Sequence, residues 1–352
     1  MFQSLDINFY FLFFLLSFLI AFFLVKFSNK LFSGLLIDKD FSKPQAFHKK
    51  AIDRLGGFII ILLFGIFILS YFSILNIFLA DYLTLAFLFF TLGFLDDLKI
   101  KIDPNIRLVF MLLILIFFIN FFSIEINRTG LAFLNYWLEN NVFQVFFVIL
   151  CFLFIVNGSN LVDGFNGLLA IHFLVINIIY LLINLDNQNL NLALILSGQI
   201  IIVVSFLFFN FPKSQIFLGD SGSYLLGSLL ALNTIKTYEL NILIPPFFFA
   251  CILFYLFFEV FFSFFRKAIR KKSPLNPDKK HLHMLLFNWL INSKKIKDPN
   301  YLTSSLVNFS YIILIIPAVL LKENGLFCRY WFFLLIILYL FFYFRLYSFS
   351  KK

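Results

Sequence analysis

The chain has 352 residues and a formal net charge of +10, and 62% of its residues are hydrophobic against only 13% that are charged. Soluble globular domains contain about 25% charged residues. A mean hydropathy of +0.98 therefore excludes that class and predicts a polytopic membrane protein. The three cysteines form no CxxC pattern, so the sequence predicts neither a disulfide framework nor a cysteine metal site.

Eleven apolar runs follow one another along the chain, and crossing a bilayer core takes about 20 helical residues. The third and fifth runs are short. The first is predicted to remain as an anchor rather than a cleaved signal peptide, because no Lys or Arg precedes it. We therefore predict an all-α fold in which residues 1–352 form one integral membrane domain. The runs lie near 8–25, 57–76, 79–95, 106–124, 142–156, 167–184, 190–209, 222–238, 242–265, 302–321 and 327–344.

The basic residues predict the orientation. If the loops after odd-numbered spans share one side with the C-terminal tail, that side carries all but four of the 28 Lys and Arg residues. The positive-inside rule then places the N-terminus outside and the C-terminus in the cytoplasm. This basic collar faces anionic lipid head groups, so membrane lipid is an expected partner and nucleic acid is not. The four exceptions are Arg128, Lys236, Lys322 and Arg329.

Polar clusters occupy five consecutive loops of the predicted cytoplasmic face. Clusters on one face predict a single site assembled from many helices, because ionisable groups at a membrane boundary usually have a partner or a function. In chain order they are HKKAIDRLGG (48–57), GFLDDLKI (93–100), NGSNLVDGFNGL (157–168), IFLGDSGSYLLG (216–227) and KKSPLNPDKKHLHMLL (271–286).

Asp96 and Asp97 end the third span, and two interpretations of them are open. A solvated helix end is the simpler one. In the other, repulsion between adjacent carboxylates raises one pKa toward that of a general base. A divalent ion would offset this repulsion, and so would Lys99, Lys101 or Arg107, which follow closely in the sequence.

Asp220 lies in a stretch of small residues that opens a helix, Gly219–Ser223. Small residues let backbone N–H groups at a helix N-terminus approach a phosphate. A carboxylate there would repel the phosphate unless it held a metal ion, as magnesium sites do with one or two carboxylates and substrate oxygens. A structural capping aspartate is the alternative.

The connection between the fifth and sixth apolar runs contains amide and carboxylate side chains. Asn157, Asn160 and Asp163 occur there among glycines. Amides can bond to a base or sugar, and glycines permit tight turns. A capped turn without a ligand is the alternative interpretation.

His281 and His283 belong to a basic loop, beside Asp278, Lys279 and Lys280. Their i, i+2 spacing does not suit one helical face, so a helix-borne zinc pair is not expected. Taken alone they are typical of solvated loop histidines; their neighbours favour phosphate over metal as a ligand.

Basic residues also precede the second span. His48, Lys49, Lys50 and Arg54 lead into Gly56–Gly57, a pair that permits close helix packing. For most of these basic residues the positive-inside anchor is the simpler interpretation.

Four of these motifs, in this order, resemble those of the polyprenyl-phosphate N-acetylhexosamine-1-phosphate transferases, the family that includes phospho-MurNAc-pentapeptide translocase. They are GFLDDLKI, NGSNLVDGFNGL, FLGDSGSYLLG and SPLNPDKKHLHMLL, within about residues 45–290, and eleven spans is also that family's number. The resemblance implies a multi-pass enzyme of the bacterial inner membrane. It would transfer a sugar 1-phosphate from a UDP-sugar to undecaprenyl phosphate, release UMP and require Mg²⁺, with Mn²⁺ as the alternative ion.

The same resemblance implies roles for individual residues. Asp96 and Asp97 match the paired aspartates near the attacking lipid phosphate, and Asp220 matches the magnesium ligand; these three are the implied catalytic residues. Phe217 matches the aromatic residue that stacks on uracil. The implied substrate-binding residues are Lys49, Asn157, Asn160, Asp163, Phe217, His281 and His283.

Two positions depart from the family pattern: Met284 stands where relatives usually carry a third His, and Lys279 where Arg is common. The HLHMLL form resembles enzymes that load GlcNAc, or a related N-acetylhexosamine, for O-antigen lipopolysaccharide or other envelope glycans. A phospho-MurNAc-pentapeptide transferase is the alternative. A transporter of lipid-linked sugars is the alternative from another class, but it would carry ionisable residues near the bilayer midplane. Direct and two-step transfer both stay open, as does the oligomeric state, a homodimer included.

Overall fold

A computed structural model describes residues 7–38, 51–100, 102–271, 273, 278–292 and 298–350. These residues form helices joined by short connections, with one two-stranded sheet. The helices are α1 (Ile7–Phe32), α2 (Gly56–Leu75), α3 (Ala80–Asp97), α4 (Pro104–Phe122), α5 (Ala132–Leu138), α6 (Asn141–Val162), α7 (Leu168–Asp186), α8 (Leu190–Asn210), α9 (Gly219–Leu240), α10 (Pro246–Ile252), α11 (Phe254–Ile269), α12 (Leu282–Asn292), α13 (Pro299–Leu320) and α14 (Gly325–Phe349). The strands are β1 (Ile37–Asp38) and β2 (Ile52–Asp53).

The predicted helical membrane fold is confirmed in its class. Eight helices of the described chain are long and apolar enough to cross a membrane, and a ninth span would be α10 with α11. The predicted span over 242–265 corresponds to two helices, α10 and α11, which meet at an angle of 76°. No Pro or Gly lies between Phe247 and Ile269, so the sequence carries no signal for this break.

The predicted count of eleven spans includes α3 and α9, which are 18 and 22 residues long. Neither helix is among the eight that are long and apolar enough to cross a membrane. Helix α9 is central: it packs on α2, α3, α6 and α7, and most of its side chains are buried. A helix surrounded by protein does not meet lipid, so it needs no continuous apolar surface. That explains its small and polar sequence, GDSGSYLLGSLLALNTIKTYEL, and the count of eleven stays a prediction.

Buried amides join the helices around α9. Asn233 on α9 donates to Gln199 on α8 (2.6 Å) and to Asn177 on α7 (3.1 Å), and accepts from the hydroxyl of Tyr82 on α3 (3.0 Å). Hydrogen bonds of this kind associate helices where lipid offers no hydrophobic driving force. The centre of the bundle is therefore fixed by polar contacts as well as by packing.

A short strip of backbone pairing positions the segment before α2, and the helical prediction does not include it. Strand β1 pairs antiparallel with β2, and Asp53 in β2 forms a parallel bridge with Ile216. The Phe217 amide donates to the Asp53 carbonyl (2.8 Å), and the Gly56 amide donates to the Phe217 carbonyl (2.9 Å). Arg54, one of the two intervening residues, is thereby held against the start of α9.

Candidate active site

Glycines let α2 and α3 approach the first turn of α9 backbone to backbone. A Cβ atom on Gly57 would collide with Ser221 and the Gly222 amide, and one on Gly93 would collide with the backbone of Asp220. The close packing predicted from Gly56–Gly57 is therefore present. It brings three chain segments together at the N-terminus of one helix.

The glycine contact leads to a stability prediction. Gly57→Ala should lower the free energy of unfolding by about 1–3 kcal/mol, because the added methyl overpacks a contact made with backbone atoms. Gly65→Ala on the same helix is the matched control: no atom lies within 4 Å of its Cβ position, and the change should be neutral or stabilising by about 0.5–1 kcal/mol. Thermal unfolding in detergent would measure both, and equal midpoints for the two variants would contradict the prediction.

Asp97 caps α9 from another helix. Helix α9 has no side-chain cap of its own at Leu218, and four orphan N–H groups begin every α-helix. Asp97 Oδ1 accepts from the Asp220 amide (3.0 Å), and Oδ2 accepts from the Ser221 amide (2.9 Å) and hydroxyl (2.6 Å). An anion at a helix N-terminus also interacts favourably with the helix dipole. The buried carboxylate of Asp97 is thus committed to holding α9.

Arg54 supplies positive charge at the centre of this cluster. Its guanidinium lies 2.7 Å from Asp38, 3.4 Å from Asp97 and 3.5 Å from Asp220. A planar guanidinium with five donors suits contact with several oxygen acceptors at once. A membrane anchor was the simpler interpretation for most of the basic residues before α2, and Arg54 is an exception to it.

Asp220 and Asp163 form the part of the cluster that faces α6. Asn160 donates to Asp220 Oδ1 (2.7 Å) and to the Ser223 hydroxyl (2.9 Å), so it orients the carboxylate of Asp220. Asp163 follows the last residue of α6, and its carboxylate has no hydrogen-bond partner among the described residues. Burial, with repulsion from Asp220 and Asp97, raises the pKa of Asp163 to about 8. The unpartnered carboxylate makes this place attractive to a cation.

The donor set fits a hard divalent cation that substrate completes. Among the residues that the structure describes, no three His, Cys, Asp or Glu side chains form a ready metal site. Mg²⁺ commonly uses only one or two carboxylates together with water and substrate phosphate oxygens. Asp220 and the unpartnered Asp163 could supply those two carboxylates, whereas Asp97 has its oxygens engaged by α9.

The aspartate doublet divides into two separate ion pairs. Asp96 pairs with Arg107 at 2.6 Å, one of the basic residues proposed to offset it, while Asp97 turns to Arg54 and α9. The guanidinium of Arg107 also lies 5.8 Å from the ring centre of Tyr224 on α9. The two carboxylates therefore do not act as one repelling unit in this structure.

The remaining predicted site residues before the histidines are Asn157, Phe217 and Lys49. Asn157 donates to the Leu153 carbonyl of its own helix (2.8 Å) and, within the described part of the chain, forms no hydrogen bond with the aspartates. The backbone of Phe217 belongs to the pairing strip beside Arg54. Lys49 lies outside the described residues. The substrate roles of all three stay predictions.

His281 and His283 are buried, so the interpretation of solvated loop histidines is wrong for both. Their rings stack with centroids 5.7 Å apart and planes 7° from parallel. The ring of His283 lies 5.8 Å from that of Phe165, and its Nε2 atom lies 3.9 Å from the Cβ position of Gly164. The histidine pair therefore adjoins the turn that carries Asp163.

Sequence reasoning missed Glu259 entirely. This carboxylate, on α11, is buried and accepts from His281 Nδ1 (3.1 Å). The signal was present, because a single glutamate inside the apolar run FYLFFEVFFSFF is an ionisable residue at membrane depth. Ser221, which donates to Asp97, was likewise assigned no role.

Comparison with known proteins identifies the class. Residues 77–238 match the model of glycosyl transferase family 4. The chain belongs to the polyprenyl-phosphate sugar-1-phosphate transferases that its motifs resemble, a family of membrane-bound transferases.

Individual relatives come from two branches. An undecaprenyl-phosphate alpha-N-acetylglucosaminyl 1-phosphate transferase of Thermotoga maritima is 30% identical over 67% of this chain and 68% of its own. A phospho-N-acetylmuramoyl-pentapeptide-transferase of Dictyoglomus turgidum is 29% identical over 57% and 66%. A probable undecaprenyl-phosphate N-acetylglucosaminyl 1-phosphate transferase of Bacillus subtilis is 27% identical over 65% and 64%. The aligned region thus spans about two thirds of each relative.

Proposed function

We propose that this protein transfers GlcNAc 1-phosphate, or a related N-acetylhexosamine 1-phosphate, from a UDP-sugar to undecaprenyl phosphate and releases UMP. The product would begin O-antigen or another envelope glycan at the bacterial inner membrane. One observation carries the proposal: Asp97, Asp220 and Arg54 meet at the N-terminus of α9. Asp163 is close enough to interact electrostatically with all three. Such a site suits phosphate groups and the cation that accompanies them.

The chemistry is an in-line displacement at phosphorus. An oxygen of the lipid phosphate attacks the β-phosphorus of the UDP-sugar, a new P–O bond forms, and the bond to the α-phosphate oxygen breaks so that UMP leaves with the electron pair. A phosphate monoester with a second pKa near 6 is mostly dianionic at neutral pH, so the attack needs no general base. This agrees with the geometry, since both Asp96 and Asp97 are engaged by other groups.

Each residue of the cluster then has a distinct task. Arg54 stabilises charge that develops on the phosphoryl oxygens, which is the main contribution available in phosphoryl transfer. Asp97 holds the first turn of α9, and Asn160 orients Asp220. Mg²⁺, or Mn²⁺, held by Asp220 and Asp163 would neutralise the diphosphate when bound.

A membrane assay tests the proposal. Purified protein with undecaprenyl phosphate, Mg²⁺ and radiolabelled UDP-GlcNAc should yield one lipid-linked sugar phosphate per UMP, and EDTA should stop the reaction. Asp220→Ala should lower the rate about 100-fold, whereas Asp186→Ala, an exposed carboxylate paired with Lys322, should not. Movement of preformed lipid-linked sugar across vesicles, without UMP release, would instead identify a transporter.

A phospho-MurNAc-pentapeptide transferase is the second candidate, because relatives of that name match at 29% identity. The same assay with UDP-MurNAc-pentapeptide as donor separates the two. Product from that donor alone would reassign the protein to peptidoglycan synthesis.

A further inference from the structure

A largely buried chain of hydrogen-bonded ionisable side chains joins α11 to the start of α12. The guanidinium of Arg266 forms two hydrogen bonds with the carboxylate of Asp278, at 3.0 and 2.9 Å. Asp278 lies 3.4 Å from His281 Nε2, and His281 Nδ1 lies 3.1 Å from Glu259. We call these four residues, Arg266, Asp278, His281 and Glu259, the ionic chain.

The charged side chains of the ionic chain depend on one another for partners. The side chains of Glu259, His281 and Arg266 are 1%, 3% and 7% exposed, so each needs a partner for its charge. When His281 carries both ring protons, its two N–H groups donate to Glu259 and Asp278, and the four charges sum to zero. Both nitrogens of His281 are then occupied by protein carboxylates.

The same groups fix the first turn of α12. The second oxygen of Glu259 accepts from the amide of Leu282, the first residue of α12, at 2.9 Å. Asp278 accepts from the Lys280 amide at 3.1 Å. A carboxylate at this end of a helix satisfies an orphan N–H group and interacts favourably with the helix dipole.

His283, one residue further along, keeps one nitrogen without a partner. Its Nδ1 atom lies 3.0 Å from the Tyr255 hydroxyl, whereas its Nε2 atom is buried and has no hydrogen-bond partner among the residues that the structure describes. That atom lies beside Gly164, next to Asp163. A buried nitrogen without a partner is costly unless a ligand completes it.

We propose that Glu259 is a positioning residue: acting through His281 and the first turn of α12, it directs His283 Nε2 at the UDP-sugar beside Asp163. The inference rests on the proposed function and deepens it. His283 is then the histidine that contacts substrate, and His281 serves to orient it. Arg266 and Asp278 hold the far end of the ionic chain.

Steady-state kinetics test the proposal with both substrates varied. Glu259→Gln should raise KM for UDP-GlcNAc about tenfold, as loss of one hydrogen bond does, and leave KM for undecaprenyl phosphate within twofold. A smaller folded fraction would change neither KM. His281→Gln should have the same effect, and the double variant should be no worse than the worse single one, because the two residues act through one contact.

A matched control and a second readout complete the design. Asp81→Asn breaks a partly buried ion pair with Lys236 on other helices and should leave both KM values unchanged. Hydrogen exchange of the substrate-free protein should show amides of residues 282–285 exchanging about tenfold faster in Glu259→Gln than in the wild type or Asp81→Asn. If Glu259→Gln fails to fold, His283→Gln should raise KM for UDP-GlcNAc alone without changing this exchange.

Unchanged exchange in Glu259→Gln, equal changes in the two KM values, or additive effects of the two substitutions would overturn the positioning role. A wild type without transferase activity toward any UDP-sugar would overturn the proposed function instead. In that case hydrogen exchange still decides whether Glu259 holds α12.

Discussion

Arg54→Met is expected to reduce kcat/KM for sugar-phosphate transfer by about 1,000-fold, the upper end of what one electrostatic donor contributes. The physical reason is its position, within 2.7–3.5 Å of three carboxylates at the start of α9. Among the described residues, Arg54 is the only cation in these contacts. Its removal would leave the carboxylates of Asp38, Asp97 and Asp220 facing one another. Radiolabelled product formation with UDP-GlcNAc and undecaprenyl phosphate measures the loss.

Arg54→Lys separates charge from shape. A lysine retains the positive charge but not the planar fork, so it cannot bond to several carboxylates in the same geometry. We expect about a tenth or less of wild-type activity from Arg54→Lys. Arg270→Met is the matched control, since Arg270 is exposed and donates to the Tyr347 hydroxyl at 3.4 Å, on helices away from α9. Activity of Arg54→Met within tenfold of wild type would show that the guanidinium serves only to hold the fold.

The position of Arg54 in the site could not be predicted from the sequence alone. The sequence predicts that the segments with acidic residues lie together, because residue type and order are visible in a sequence, and Asp97 does contact the first turn of α9. Nothing in the local pattern of His48, Lys49, Lys50 and Arg54, however, marks Arg54 as a residue of the site. The position of Arg54 depends on the pairing of Asp53 with residues 216–217, a tertiary contact between distant segments.

The aspartate doublet makes the same point about neighbours. Adjacent residues on a helix face different directions, since each residue turns the helix by about 100°. Asp96 and Asp97 therefore have different partners, Arg107 and the start of α9, although their sequence context is shared. Carboxylates that look alike in the sequence are distinguished only by what packs around them.

Hydropathy was informative about lipid-facing helices and less so about the centre. Eight apolar runs became helices long and apolar enough to cross a membrane, whereas the run near 222–238 became α9, a helix buried by its neighbours. The break between α10 and α11 and the pairing of β1 with β2 carried no local signal. Glu259 did carry one, since it interrupts an apolar run, and the structure shows this glutamate buried with a histidine partner.

Asp163→Asn is expected to lower activity about 100- to 1,000-fold while making the cation-free protein more stable at alkaline pH. Burial and repulsion from Asp220 and Asp97 raise the pKa of Asp163 to about 8, against about 3.9 in an unfolded chain. Between these values the folded state binds a proton that the unfolded state does not, so this residue makes stability fall as pH rises from about 4 to 8. Asparagine carries no charge and removes that loss.

Thermal unfolding without divalent ions, measured at pH 5 and pH 9, would test this sign. The wild-type midpoint should decrease more between the two pH values than that of Asp163→Asn, and Mg²⁺ at pH 8 should raise the wild-type midpoint but not the variant's. The exposed carboxylate of Asp186 offers the control, because Asp186→Asn should follow the wild type in both respects. The opposite outcome is that Asp163→Asn shows the same midpoints as the wild type at both pH values and the same response to Mg²⁺. Asp163 would then be neither a destabilising carboxylate nor a ligand of the cation. Asp220 would be the only carboxylate left to hold the ion.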